Sequence, residues 1–341
     1  MNTINVGILG LGRVGASVGL ALKRYNARKD ARQKFNITGY DPLEASGVTA
    51  RNQNAVDAVT RSLLDAASNK EILVLALPYR DVAAAYRLIG GEVRAGTVIL
   101  DMSPLKQPSQ QWATKYLKGE AFAIGVTPIL NFKYLFDGTD DIEHAAADLF
   151  DDGHMLLMPH LEAPKEAVEL AADLSEILGA APHFADPAEH DVWVAATEGL
   201  PAALGVATFY GLVRRDGWND ARRAGNPSFG RLTHHLFDAH PDDVRDLLLN
   251  NRENVVRQLD ATLETLHTLR DVLAQNDQKS LEGLLIDSAQ AYQEWVARRQ
   301  KGEWDDRTDG VKRESSTDLF MSGLFGSAVS KRLRGDKKSD E

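Results

Sequence analysis

The chain has 341 residues, 43% of them hydrophobic and 26% charged, the composition of an ordinary globular protein rather than a disordered or fibrous one. Thirty-nine Lys+Arg against 49 Asp+Glu leave a net charge of -10, which excludes a general nucleic-acid binder, because neutralising phosphates needs a basic surface. There is no cysteine, so disulfides, thiol nucleophiles, Fe–S clusters and Cys-ligated zinc are excluded together.

The first half alternates strand and helix signals. Residues 4–9 form a short apolar run ending in glycines, without the basic region that opens a signal peptide, and residues 14–23 carry apolar and small residues at helical spacing. Strand readings follow at 35–40, 71–77, 97–100, 121–125 and 155–158, with a helix at 81–89. Short apolar strands separated by helices describe a mostly parallel, doubly wound α/β sheet covered on both faces. From about residue 164 the pattern becomes helix after helix, at 165–178, 187–214, 241–274 and 281–299. Val255, Leu259, Leu263, Leu266 and Leu273 form an amphipathic stripe, which predicts an all-α part that pairs with a second copy. The boundaries read as 1–162 for the α/β domain, 163–300 for the helical domain, and 301–341 for a polar tail. The tail's one apolar island, 319–329, reads as a docking helix in preference to a membrane-surface segment. No window approaches the ~18 uninterrupted apolar residues of a membrane span, so no membrane partner and a cytoplasmic setting are expected.

The strongest local signal is Gly10-Leu11-Gly12-Arg13-Val14-Gly15, a complete G-x-G-x-x-G directly after a strand and directly before a helix. Its glycines allow a tight turn, close approach to a pyrophosphate and close helix–strand packing, while the helix N-terminus meets the phosphate charge. Asp41, at the end of the second strand, suits the ribose hydroxyls and repels a 2′-phosphate, so NAD is expected over NADP. It stands 26 residues past Gly15, against the usual ~20, an excess assigned to a longer loop over 26–34. A helix-capping role for Asp41 and a phosphate contact for Arg13 stay open. Leu77, Pro78 and Ser103, in the segments closing the next two strands, complete the expected cofactor-binding set.

The succession GILGLGRVGASVGLALK, EILVLALP, ILDMSPLK, GVTP, AAADLFDDGHMLLMP and DPAEHDVWVAATEGLPAAL resembles the prephenate and arogenate dehydrogenases over roughly residues 4–300. The resemblance implies an N-terminal dinucleotide domain, a helical dimerisation domain, an active site between them and a place in tyrosine biosynthesis. The implied reaction oxidises a ring hydroxyl by hydride transfer to nicotinamide, with loss of carbon dioxide and aromatisation. Three polar positions depart from the family's pattern. The His-Pro histidine, the family's proton acceptor, falls on Thr127; the Gly-Ser-Val-Lys serine falls on Pro104; and the Ser-His-Leu-Pro histidine falls on Gly199.

Thr127, Lys106 and Glu198 are therefore the candidate catalytic groups. Lys106 lies in the turn after the strand ending at Asp101, where it could bond a reacting carbonyl or hydroxyl, and Glu198, if half-buried beside the nicotinamide, would be an acid/base with a raised pKa; a surface lysine and a solvated glutamate are the bland alternatives. Arg231 and His235 match the family's carboxylate-binding segment loosely and suit a small anionic substrate, unless Arg231 pairs with Asp238. His190 reads as a capping and packing group, and His234, His235 and His240 lack a metal-ligand spacing, so no metal is expected. Two other readings stay open: a dehydrogenase or reductase of another small hydroxy, keto or imino acid, and a non-catalytic NAD-binding protein.

Overall fold

The computed structural model describes residues 2–118, 121–137 and 141–302. Its first part runs β1 (Asn2–Leu9), α1 (Arg13–Asn26), β2 (Gln33–Tyr40), α2 (Glu44–Asn52), β3 (Ala58–Val59), α3 (Leu63–Ala67), β4 (Ile72–Leu75), α4 (Tyr79–Ile89), β5 (Val98–Asp101), α5 (Lys106–Tyr116), β6 (Phe122–Ile129), β7 (His154–Pro159), α6 (Lys165–Leu178) and β8 (Ala181–Phe184). The strands make one sheet in the order β3-β2-β1-β4-β5-β6-β7-β8. All neighbours are parallel except β6 and β7. The first six strands have the doubly wound order whose ligands bind at the carboxyl ends of the strands.

Apolar runs such as Ile72–Leu75 are buried throughout because helices cover both sides of the sheet. On one face Val18, Ala21 and Leu22 of α1 share a core with Val168, Ala171 and Leu174 of α6. On the other, Val82, Tyr86 and Ile89 of α4 pack with Leu73, Leu75 and Ile99. The sheet runs past the boundary expected at residue 162. Helix α6 packs on it, and β8, which carries only four residues and was not legible as a strand, pairs in parallel with β7.

The second part is helical: α7 (Pro187–Val194), a π-turn at Ala195–Gly199, α8 (Leu200–Leu212), three short helices α9 (Trp218–Ala221), α10 (Pro227–Thr233) and α11 (His235–Asp238), then α12 (Pro241–Asn250), α13 (Arg252–Ala274) and α14 (Gln278–Lys301). Asp186 caps α7 by accepting from the amides of Ala188 and Glu189, with Pro187 in the first turn. The stretch Pro187–Leu212 is long and apolar enough to cross a membrane by composition, and 28% of its most apolar window is buried within the chain. The single helix expected over 241–274 is broken at Asn251. The cause is a tertiary bond: Asn251, buried between α12 and α13, turns its amide onto the Asp191 carbonyl at 2.6 Å. The amphipathic stripe of α13 is buried at Val255, while Leu263, Leu266 and Leu273 stay about half exposed. The expected docking segment 319–329 lies outside the described residues.

Removing the Asn251 amide deletes one buried hydrogen bond to a carbonyl that keeps its helical partner, at a cost of about 0.5–1.5 kcal/mol. Asn251→Ala is therefore expected to lower the urea midpoint by that amount of stability with an unchanged slope. An unchanged midpoint would show that the break in the helix has another origin.

Candidate active site

The carboxyl edge of the sheet exposes the N-termini of α1, α4 and α5, each a cluster of unpaired amides at the positive end of a helix dipole. Two of the three are closed by carboxylates of the helical part. Asp191 of α7 accepts from the amides of Lys106 (2.8 Å) and Gln107 (3.0 Å) at the start of α5. Asp243 of α12 accepts from the amide of Arg80 (2.9 Å) at the start of α4 and pairs with its guanidinium. Asn250 adds a 3.2 Å bond to the Tyr79 hydroxyl. The third terminus, that of α1, has Gly12 as its cap, no side-chain cap and no acid in its first turn.

That terminus carries the glycine loop. Gly10 has φ +99°, the left-handed region that favours glycine, and its amide donates to the Tyr40 carbonyl at 2.8 Å. A Cβ on Gly15 would lie 2.0 Å from the Gly10 oxygen, whereas a Cβ on Gly12 would meet nothing within 4 Å. The loop thus presents open backbone beside a free helix terminus, a cradle suited to an anionic diphosphate. Leu11 is buried and its amide donates to Asp41 at 2.7 Å; the other Asp41 oxygen accepts from the Leu43 amide at 2.8 Å. Asp41 therefore clamps the loop and caps the following turn. Beyond it, a cavity of about 320 Å³ is lined by Tyr40, Asp41, Glu44, Arg51, Thr60 and Arg61. Arg61 leans toward Glu44 at 3.5 Å. Arg13 is buried, forked onto Asp137 (2.5 and 3.0 Å) and set over the Tyr134 ring, so its charge is already engaged beside the loop. Val14 packs into the core, Leu77 is buried, Pro78 caps α4, and Ser103 is buried with its hydroxyl 2.5 Å from that of Ser109.

Lys106 is fully buried. Its Nζ donates to the carbonyls of Asp101 (3.2 Å), Val126 (2.9 Å) and Ser103. All three ammonium protons go to backbone, so Lys106 ties the ends of β5 and β6 together instead of reaching a substrate carbonyl. Burial pushes its pKa down to about 8, against the opposing pull of Asp101 and Asp191. Asp101 is itself buried and accepts from the Tyr86 hydroxyl (2.7 Å) and the Ser103 amide (2.8 Å).

Thr127 lies on β6, half-buried, with Oγ1 2.8 Å from Nε2 of His190. His190 is 1% exposed, and its Nδ1 is 3.1 Å from Asp191 Oδ1. A carboxylate only accepts, so Nδ1 carries the proton, and in the neutral ring Nε2 accepts from the Thr127 hydroxyl. Burial holds the His190 pKa below its usual value, with the nearby Lys106 charge adding to the effect and the Asp191 hydrogen bond opposing it. Sequence reading assigned His190 to capping; the capping carboxylate is Asp186, and His190 faces Thr127.

The remaining candidates stand apart from this chain of bonds. Glu198 is exposed on the π-turn, the solvated placement, not the half-buried one that an acid/base role would need. A Cβ on Gly199 would lie 2.9 Å from Val255 Cγ2, so α13 packs closely against the turn there. Arg231 is exposed on α10 and His235 half-buried on α11, both helices packing on α8. Asp238 is taken by His234 at 2.9 Å, which removes the expected internal partner of Arg231. Among the described residues no group of three metal-ligating side chains gathers.

Comparison with known proteins follows this layout. The family model described as prephenate dehydrogenase, nucleotide-binding domain, matches residues 18–182, and that described as prephenate dehydrogenase, dimerization domain, matches 186–286. A prephenate dehydrogenase of Bacillus subtilis (strain 168) is 23% identical over 310 residues, covering 86% of this chain and 76% of the relative. A cyclohexadienyl dehydrogenase of Zymomonas mobilis is 24% identical over 280 residues, covering 80% and 89%. The solved prephenate dehydrogenase from A. aeolicus in complex with hydroxyphenyl propionate and NAD+ shares the fold with a TM-score of 0.70 at 20% identity, covering 86% of this chain and 99% of that one.

The buried ammonium gives a test of this arrangement. With its pKa near 8 in the fold and 10.5 as the ordinary value, Lys106 is deprotonated in the native state before it is in the unfolded chain. The unfolded state then binds more protons, so this group makes stability rise with pH from 8 to about 10. Lys106→Met is expected to lose that pH-dependent contribution, read from denaturant curves at each pH. Equal pH slopes in the two proteins would contradict it.

Proposed function

The chain belongs to the prephenate dehydrogenase family, and from that premise we propose the chemistry of its cleft: NAD-dependent oxidation of a carboxylated cyclohexadienol of the prephenate or arogenate kind, a step of tyrosine formation. The observation that carries the reading is the N-terminus of α1, on the glycine loop, with no side-chain cap and no acid in its first turn. Two N-termini at the sheet edge are closed by carboxylates, and the third, on the glycine loop, offers its amides to a diphosphate. The amides from Gly12 through Val14 to Gly15 would hold the diphosphate, with Gly10 and Leu11 shaping the turn and Arg13 beside them. Asp41 and the adjoining cavity suit the adenosine half. A carboxylate at that point disfavours a 2′-phosphate, which supports NAD over NADP. Bound there, the cofactor would supply the acceptor for the hydride of the ring carbon that bears the hydroxyl.

The protein's own groups do the rest by position. Thr127, at the end of the strand between the two parts, has a hydroxyl suited to meet the substrate hydroxyl. Arg231 supplies a guanidinium fork for a substrate carboxylate, with His235 on the next helix as a weaker contact. Ser103, Leu77 and Pro78 shape the wall behind the cofactor, and Lys106 keeps the ends of β5 and β6 in register. Leaving aside Val255, the apolar stripe of α13, together with the exposed apolar surface of Pro187–Leu212, supports a homodimer through the helical domain. The setting proposed for such an enzyme is cytoplasmic.

Purified protein is expected to reduce NAD with prephenate or arogenate; no turnover above background with either would defeat the substrate assignment. Gly12→Val adds a side chain where the free chain has room, so it should leave the melting temperature unchanged yet weaken NADH binding at least ~10-fold by calorimetry. Undiminished binding would remove the glycine loop from the site.

A further inference from the structure

Where the family's pattern has a histidine as proton acceptor, this chain has a threonine, which does not deprotonate an alcohol near neutral pH. The surroundings of Thr127 supply what its side chain lacks. His190 touches Thr127 from α7 through Nε2, is itself shut off from solvent, and is held by Asp191 in the tautomer that leaves Nε2 free to accept. Asp191 is fixed in turn by the amides of Lys106 and Gln107 and, through its carbonyl, by Asn251. Buried and held at both ring nitrogens, the imidazole has the Thr127 hydroxyl at its Nε2.

We propose that Thr127, His190 and Asp191 form a proton relay that replaces the missing histidine: Thr127 Oγ1 contacts the substrate hydroxyl, and His190 Nε2, one bond behind it, takes up the proton. The inference rests on the dehydrogenase reading above. In the forward direction the substrate O–H proton passes to Thr127 Oγ1 as the Thr127 proton passes to His190 Nε2. The carbinol C–H bond breaks, its hydride goes to the NAD-type oxidant, and a carbonyl forms. Loss of the ring carboxylate as carbon dioxide leaves its electron pair to aromatise the ring, and the phenolate recovers the proton along the same two bonds. His190 is transiently an imidazolium, stabilised by Asp191 and opposed by Lys106; Asp101 lies behind Lys106 and partly offsets its charge. Thr127 is the catalytic residue of this set, and Asp191 positions the ring.

The sign of the pH dependence follows from this arrangement. The relay needs neutral His190, so kcat/KM should rise through an acid limb below the ordinary histidine pKa and then level off. Wild-type turnover with NAD and prephenate or arogenate tests the dehydrogenase reading alone. Given that turnover, Thr127→Val should lower kcat by about 10²–10⁴-fold, the usual worth of a general base. Thr127→Ser, which restores the hydroxyl, should recover most of the loss. His190→Asn should abolish the acid limb, and the double variant should be no slower than the worse single one. A second readout needs no activity: in the ¹⁵N-histidine NMR spectrum of the full chain, the signal lost in His190→Asn should show Nδ1 protonated and Nε2 bare at neutral pH. Thr127→Val turning over within ~10-fold of wild type with its acid limb intact, or a His190 protonated at Nε2, would overturn the relay.

Discussion

One carboxylate organises the centre of this molecule. Asp191 accepts from the first two amides of α5 and from the His190 ring, while its carbonyl is held by Asn251. It joins four elements at one point: the sheet's α5, its own helix α7, and the α12–α13 corner, with β6 linked through Thr127. A charge placed on a helix N-terminus gains up to ~2 kcal/mol in partly buried geometry, and removing a partner from a buried pair costs about 3–5 kcal/mol. The helical part is therefore docked on the sheet through an anion whose loss the fold tolerates poorly. Asp243 repeats the device on α4.

The consequence for chemistry is a division of labour among equivalent helix ends. Each N-terminus at the carboxyl edge attracts an anion, and the protein supplies its own anion to two of them. The third, with Gly12 as its cap, carries no side-chain cap and no acid in its first turn, which suits it to a ligand's phosphates under the proposed function. The same carboxylate that docks the helical part also fixes the histidine tautomer, so domain docking and proton placement depend on a single side chain. Preorganisation of this kind lets a weak acid such as a threonine hydroxyl sit in a proton path, because the basic nitrogen behind it is already oriented.

How much of this was legible in the sequence depends on how local each interaction is. The glycine loop, the strand ending at Asp41 and the apolar strands were readable because neighbours in the chain carry the signal. The Thr127–His190 bond joins residues 63 apart, and nothing near either residue announces it. The EHD segment therefore read as a helix start, although Asp186 performs that capping. The break at Asn251 was hidden for the same reason, since an amphipathic pattern continues through a residue whose side chain is claimed by Asp191 from another element. Lys106, in a turn, reads either as a group that could bond a reacting carbonyl or hydroxyl or as a surface lysine; three backbone carbonyls converge there only after β5 and β6 have paired. Strand β8 carries four residues with a proline among them, too short for a periodic signal.

The most direct test is a crystal structure of this protein with NAD+ and hydroxyphenyl propionate bound together. The account predicts the phenolic oxygen within about 2.6–3.2 Å of Thr127 Oγ1, with the Thr127–His190–Asp191 bonds kept and the diphosphate on the amides of the glycine loop. A ligand hydroxyl seated against another side chain, with Thr127 bonded only to His190, would contradict it.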